Sequence, residues 1–383
     1  MKKGTNKFKR AAVLLTAAAL TTVFPLSMQK NAPANTAVLT AAAADEGSYV
    51  EGSNETFYYL KYSDHISVSG LKSETSDLVI PDTIDGLPVT NIQLYSFEFL
   101  SIKSVKFPDS IKEIGSYSFS DCPNLTEVTL PANIEKIGFH VFENCTSLET
   151  INFPDHLVKT SDFTFENTPW LTAQRQKSPL VIVNNALIDA RTTTGDVIIP
   201  SSVKYVASGA FSKNDKVTSV VVPTSVTEIG DNTFWMCSSL KSVDAKGAEV
   251  LGMMAFGYCE KLDTLKFSKS LKSIQPYCFS DCNATGTITF YGTENDWKNV
   301  EILDEGDYLK KAKIVFESNY TEDVIGDVNK DGTLNVADIV LLQKWLLKDP
   351  EGELKDWMAG DLTGDSVLDT FDLVLLRQAL INQ

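Results

Sequence analysis

One period dominates this chain and limits what it can fold into. Phe119, Phe142 and Phe165 lie 23 residues apart, as do Pro108, Pro131 and Pro154. Phe211 and Phe234 keep the step, Phe256 falls one residue short, and Phe279 resumes it, while Pro200 and Pro223 follow the same spacing. From Phe165 to Phe211 is 46 residues, two periods, so residues 175–197 replace one unit without losing phase, with Ile188 where a Phe would stand. In the cleanest copy, Leu125-Thr-Glu-Val128-Thr-Leu130-Pro131 leads to Ile134 and Ile137-Gly138. The alternation at Val128 and Leu130 suits a short strand with every second residue inward. Pro then ends the ladder, and Gly is expected to supply a turn that other residues resist. A unit this short cannot bury its apolar stripe alone, whereas stacked units share one continuous core. The expected fold is a strand-rich solenoid.

The joint recurrence of Pro, Ile-Gly, Phe and Cys resembles the BspA-like class of bacterial leucine-rich repeats, over roughly residues 50–316. Ile80-Pro81-Asp82-Thr83-Ile84-Asp85-Gly86-Leu87-Pro88-Val89 resembles the opening unit of such an array, and Phe290-Tyr291-Gly292-Thr293 with Trp297 resembles a closing cap. Five of the six cysteines (Cys122, Cys145, Cys237, Cys259 and Cys282) share one repeat position, and Cys278 is out of phase. One Cys per unit reads as a buried ladder of reduced thiols, each a small hydrophobe with a weak donor, rather than a disulfide framework. Cys122–Cys145 is the pair that would be bridged if any were.

The last sixty residues carry the chemistry. A hard calcium ion takes six to eight oxygens, supplied in an EF-hand loop from positions 1, 3, 5, 7, 9 and 12. Residues 327–338 offer Asp327, Asn329, Asp331, the Thr333 carbonyl, Asn335 and Asp338, with Gly332 at the sharp sixth position. A second loop, 34 residues on, offers Asp361, Thr363, Asp365, the Val367 carbonyl, Asp369 and Asp372. It carries Thr363 in place of an amide or acid and Ser366 in place of Gly, so it is expected to be the weaker of two calcium sites. Each loop leads into an apolar segment, Ile339–Leu347 and Leu373–Ile381. Both hold more apolar surface than so small a domain can bury, which leaves part of it for a partner or, as the alternative, for packing back on the repeats.

Loop-then-helix, duplicated, with Asp at both twelfth positions, resembles a dockerin domain. The resemblance implies a small all-α fold that binds two calcium ions and docks on a cohesin module of a scaffoldin in a cellulosome-type assembly. It also implies that the cohesin reads Val336, Ala337, Gln343 and Lys344 in one half and Thr370, Phe371, Arg377 and Gln378 in the other. The two sets differ, so the two faces are not expected to bind one cohesin equally.

Lys2, Lys3, Lys7, Lys9 and Arg10 precede an apolar stretch over residues 11–26, which reads as a secretory leader cleaved near Ala44. Six Lys or Arg and no Asp or Glu precede Asp45, so cleavage takes the formal charge from −16 to −22. An exported chain this acidic is a poor match for nucleic acid or anionic membrane. The expected organisation is therefore a leader at 1–44, repeats at 45–316, a short linker at 317–326 and the dockerin at 327–383.

Nothing in the sequence marks a catalytic centre. His65, His140 and His156 are the only histidines and lie beside no nucleophile motif. Glu127 and Glu149 read as solvent-facing side chains on neighbouring strands rather than a carboxylate pair held in a cleft. Thr126, Glu127, Thr129, Glu149, Thr150, Asn152, Ser219, Ser242, Asp244 and Lys266 give the strands a polar outer face. Such a face suits a protein ligand, whereas Trp170, Trp235 and Trp297 are too dispersed to make the aromatic platform a glycan would need. A carbohydrate-binding component is the alternative reading, and a polysaccharide hydrolase a more distant one.

Overall fold

The computed structural model describes residues 48–282, 286–304, 306–318, 324–363 and 367–381. The expected leader and its cleavage site, and Asp365 in the second loop, lie outside the described residues. The repeats form a β-solenoid of about 11 turns. Each turn contributes two short strands to parallel sheets on different sides, where the sequence announces only one. Glu127–Thr129 pairs with Thr150–Asn152 in register, Val128 against Ile151, and Lys136–Ile137 pairs with Lys159–Thr160 on the other side. Glu127 faces Thr150 rather than Glu149, and Glu127 and Glu149 are both exposed. The array opens with an antiparallel run, Val50–Ser53, Phe57–Lys61 and Ile66–Leu71, which precedes the expected opening unit. At the far end Lys313–Phe316 pairs with Thr287–Tyr291, beyond the expected closing cap.

The Phe column is the interior. Phe97, Phe119, Phe142, Phe165, Phe211, Phe234, Phe256 and Phe279 are all buried. Neighbouring rings stack, Phe119 on Phe142 at 5.6 Å and Phe142 on Phe165 at 5.9 Å between centroids. Ile188 is also buried, as its place in the period predicts. Between the strands, the chain turns through the left-handed region at two non-glycine positions per unit, such as Tyr117 and Asp121, His140 and Asn144. Each such residue carries a conformational cost on the order of 1 kcal/mol. The stacking offsets it, because the turns hydrogen-bond to one another: Tyr117 N–H donates to Phe139 C=O, Phe119 to Val141 and Asp121 to Glu143.

The glycine of the Ile-Gly pair has a different role from the one expected. Gly138 is not in the left-handed region, but a Cβ there would sit 2.6 Å from Ser116 N in the preceding turn. It permits close stacking rather than an unusual backbone angle.

The cysteines are free, Cys122 and Cys145 included. Each in-phase thiol donates to the carbonyl of a Phe one unit earlier: Cys122 to Phe97 at 3.2 Å, Cys145 to Phe119 at 3.1 Å, Cys237 to Phe211 at 3.1 Å. The thiol thus ties its turn to the preceding one; at Phe211 it adds a second donor to a carbonyl that already accepts Asn214 N–H at 2.9 Å. Burial pushes the Cys237 and Cys282 thiols up to about 12.

Where the period is interrupted, the helix Pro169–Lys177 and the antiparallel pair Val181–Val183 and Ala186–Asp189 replace one turn. Thr168 caps the helix by accepting from Leu171 N–H, with Pro169 at its first position. Among the described residues no strand pairing crosses this point. Side chains bridge it instead. Arg175 grips Asp189 with two bonds of 2.9 Å, and Arg191 joins the same carboxylate and Glu166. Asn184 Nδ2 donates to the Pro154 and His156 carbonyls, and Tyr205 Oη donates to Thr160 C=O.

Asp162 lies beside this network with its Oδ1 sealed from solvent and unbonded. Burial pushes its carboxyl up to about 7, against the pull of Arg191, His140 and Lys213, with Asp189 adding to the rise. A folded-state value above the unfolded one means that the folded chain holds an extra proton between pH ~4 and ~7. Stability is therefore expected to fall as pH rises through that window, by on the order of 4 kcal/mol. Asp162→Asn should flatten the decline and raise the melting temperature at pH 7. Equal pH slopes in the two proteins would refute the assignment.

Candidate calcium loops and docking helices

Two loop–helix units, related by 34 positions, close the chain. The helices run Val336–Leu346 and Thr370–Ile381, so each starts earlier than its apolar segment suggests, at position 10 of its loop. The first is capped by Asn335: its side chain accepts from Ala337 N–H at 2.8 Å, while Asn335 N–H donates to Asp338 Oδ2 at 2.9 Å. The second repeats this, with Phe371 N–H donating to Asp369 Oδ1 at 2.7 Å and Asp369 N–H to Asp372 Oδ2 at 2.9 Å. Position 9 is thus an N-cap and position 12 the returning side of the capping box. The same residue types that offer oxygens to a cation also start the helix.

The loops place their acids inward. Asp327 and Asp338, at positions 1 and 12, are buried, and so are Asp361 and Asp372. Asp338 Oδ1 also accepts from Asn329 N–H at 3.2 Å, and Asp372 Oδ1 from Thr363 N–H at 2.9 Å. Asp327 accepts from Asp331 N–H at 3.1 Å and Gly332 N–H at 2.7 Å, and Gly332 takes φ +90°, as the sixth position requires. Asp331 receives Thr333 Oγ1 at 2.7 Å and Asn335 Nδ2 at 3.3 Å. Burial raises the Asp338 pKa, with further contributions from the charges of Asp327 and Asp331, despite the backbone donors that lower it. These carboxylates are close enough to repel one another.

Among the described residues no three Asp, Glu, His or Cys side chains already close into an ion-holding group. The first loop's set is mixed, with amide and carbonyl oxygens between the acids, and it fits a hard cation by donor chemistry. The described part of the second loop offers Asp361, Thr363, Val367, Asp369 and Asp372.

The helices pack on each other through a small core of Val328, Leu334, Leu342, Leu368 and Leu376. Gly326 belongs to it as well, since a Cβ there would lie 2.5 Å from Leu376. What remains outside is apolar. Val336 is 63% exposed and Phe371 71%, while Leu347 and Ile381 are each 81% exposed. Val340 and Val374, equivalent across the 34-residue repeat, are exposed too. Of the expected reader positions, Val336, Ala337, Thr370, Phe371, Arg377 and Gln378 are exposed, and Gln343 and Lys344 are half-buried. Lys344 is held by Glu351 at 2.7 Å. Sequence reasoning did not single out Val340, Leu347, Val374 or Ile381; the signal was their recurrence at equivalent positions outside the core. A hydrogen bond of 2.7 Å from Ser201 Oγ to the Asp361 carbonyl joins the second loop to the repeats.

The three histidines are each engaged locally: His65 with Asp64, His140 with Glu143, and His156 with the Ile134 carbonyl. Among the described residues no helix is long and apolar enough to cross a membrane.

Two family models match this chain. That of the BspA type leucine-rich repeat region matches residues 72–193 and 184–299, in 6 copies, and that of the dockerin type I domain matches residues 325–381. Similar solved structures include a Treponema pallidum leucine-rich-repeat protein, 27% identical over 56% of this chain and 91% of that one, with a TM-score of 0.32. A leucine-rich cell surface protein from Faecalibacterium prausnitzii is 18% identical, covering 67% of this chain and 98% of that one, with a TM-score of 0.31. A leucine-rich-repeat protein from Bacteroides ovatus is 19% identical, covering 71% and 70%, with a TM-score of 0.34. No curated protein matches.

Proposed function

From a chain that belongs to the BspA-type leucine-rich-repeat proteins and ends in a type I dockerin domain, we propose a secreted, non-catalytic interaction protein. Its dockerin indicates attachment to a cohesin in a cellulosome-type assembly, and its repeats suggest a protein-binding surface. In this reading the leader covers 1–44, the repeats 45–316, the linker 317–326 and the dockerin 327–383. Two calcium ions take the oxygens of Asp327, Asn329, Asp331, Thr333, Asn335 and Asp338, and of Asp361, Thr363, Asp365, Val367, Asp369 and Asp372. The ions supply charge neutralisation; the chain's own residues do the rest, with Asn335 and Asp369 starting the helices that present the docking face.

The observation that carries the reading is the duplicated apolar stripe left outside the small core: Val340 and Leu347 on one helix, Val374 and Ile381 on the other. Val336, Ala337, Gln343 and Lys344, and Thr370, Phe371, Arg377 and Gln378, surround these stripes as readers. Capture of the full chain on a panel of immobilised cohesins tests it. Val340→Asp together with Val374→Asp should lower capture at least about tenfold, because each buries a charge in a desolvated contact, while calcium uptake stays intact. Undiminished capture by that double variant would remove the helix faces from the interface.

A further inference from the structure

Among the described residues the strand face has no aromatic row, but the turns have one. Tyr95, Tyr117, His140 and Phe163 occupy one left-handed position in four successive turns. Their rings stack at 4.9, 4.6 and 5.2 Å between centroids, with interplanar angles of 12°, 4° and 20°. Leu94, Phe99 and Phe139 are exposed on the same turns, and Tyr95 itself is 44% exposed. Tyr117 and His140 have a ring on each face, so what they show to solvent is edge. A sugar needs an open ring face, whereas ring edges with nearby acids suit the stems and heads of basic side chains.

The acids are present, and apart from His140 beside Glu143 these turns supply no basic side chain to them. Segments 93–101, 115–124 and 138–147 contain Glu98, Asp121 and Glu143 and not one Lys or Arg. Glu143 faces His140 at 2.6 Å, and Asp121 accepts from Asn144 Nδ2 at 3.0 Å. Partial burial and then the charge of Asp121 raise the Glu98 pKa.

The fourth turn shows what such a surface takes. The Arg191 guanidinium lies 4.6 Å from the Phe163 ring centroid and reaches Glu166 at 2.6 Å, and Lys213 Nζ stands 4.9 Å from the same ring. Phe163 and Glu166 are three residues apart, as are His140 and Glu143, and Tyr95 and Glu98. The chain satisfies this aromatic–acid pair with its own Arg and Lys in one turn, and in the turns before it offers only His140 to Glu143.

We propose that the turn face over residues 93–147 docks a short extended segment of a partner protein that carries two or three Lys or Arg at alternate positions. Three stacked turns span about 9.6 Å and alternate residues of an extended chain lie about 6.6 Å apart, so two basic side chains fit over the turns and a third reaches back along its long stem. Their heads meet Glu98, Asp121 and Glu143, and their stems lie along the edges of Tyr95, Phe99 and Phe139. The proposal rests on the repeats being a protein-binding module and gives that module a surface and a partner chemistry.

The test is fluorescence anisotropy with the calcium-loaded full chain and a fluorescein-labelled peptide of alternating Arg and Ser. Binding should weaken with salt, and Glu98→Gln, Asp121→Asn and Glu143→Gln together should weaken it about tenfold or more. Tyr95→Ala should weaken it with all acids present. Glu127→Gln, Glu149→Gln and Asp155→Asn remove the same charge elsewhere and should leave affinity unchanged. Equal loss from this second triple would mean general attraction to an acidic chain and would overturn the proposal. So would no peptide binding at low salt, or displacement of the peptide by neutral cello-oligosaccharide. Cohesin capture of each variant, measured in parallel, separates loss of this surface from loss of the docking function, and matched melting curves exclude misfolding.

Discussion

Removing calcium is expected to unfold the last sixty residues and release the chain from cohesin, while the repeats stay folded. Residues 322–383 hold thirteen Asp or Glu and five Lys or Arg, a formal −8 that two calcium ions would bring to −4. Asp327 and Asp338 are buried beside Asp331, and their mutual repulsion has no cation to offset it once the metal is gone. Metal that binds only the folded form contributes its binding free energy to folding. A core built around Val328, Leu334, Leu342, Leu368 and Leu376 is too small to replace that contribution. Calorimetry of the full chain should show two transitions with calcium, and chelator should abolish one. Asp331→Ala with Asp365→Ala should do the same and abolish cohesin capture. Capture that persists in chelator would refute the calcium-dependent docking outright.

The second large effect lies in the repeats. Phe142→Ala is expected to destabilise the solenoid by about 3–5 kcal/mol, the usual cost of emptying a sealed aromatic site. Phe142 is fully buried, with Phe119 stacked on one face and Phe165 on the other, and its N–H bonds to Thr164 C=O. Neighbouring turns are fixed by their own hydrogen bonds and cannot collapse into the space. Equilibrium denaturation measures it, and a loss below about 1 kcal/mol would mean that the register is wrong.

The legible parts of this chain are those where one residue type solves one recurring problem. Phe fills the interior, Cys ties its turn to the preceding one, Gly138 and its equivalents make room for the preceding turn, and Asp closes the capping box of each docking helix. Such positions keep their identity from turn to turn and so appear as a period. The calcium loops were legible for the same reason. The turn-face aromatic stack was not, because its position demands only a left-handed backbone and a neighbour to lie on. Tyr95, Tyr117, His140 and Phe163 meet that demand with three residue types, and Gly209, Asn232 and Met254 meet the backbone part alone. The second strand of each turn was hidden in the same way, since a two-residue strand such as Lys136–Ile137 is too short to show an alternation. The antiparallel opening at Val50–Leu71 lies outside the period altogether.

The interrupted turn bears on how tension would travel through the molecule. A protein tethered at its C-terminal domain and gripped on its first turns is pulled along the stacking direction. Elsewhere each turn is tied to the next by at least one strand ladder together with the hydrogen bonds between turns, which share the strain. Between Thr160 and Val181 no strand pairing crosses, and the join relies on side chains: Arg175 and Arg191 around Asp189 and Glu166, Asn184 and Tyr205 beside them, and Val181 and Ile188 packed in one core with Phe165, Trp170 and Leu171. The two Phe stacks, ending at Phe165 and beginning at Phe211, are thus separate elastic blocks joined by an ionic seam over a thin apolar layer that includes Ile188. Acid or high salt would loosen the seam first and leave both blocks intact.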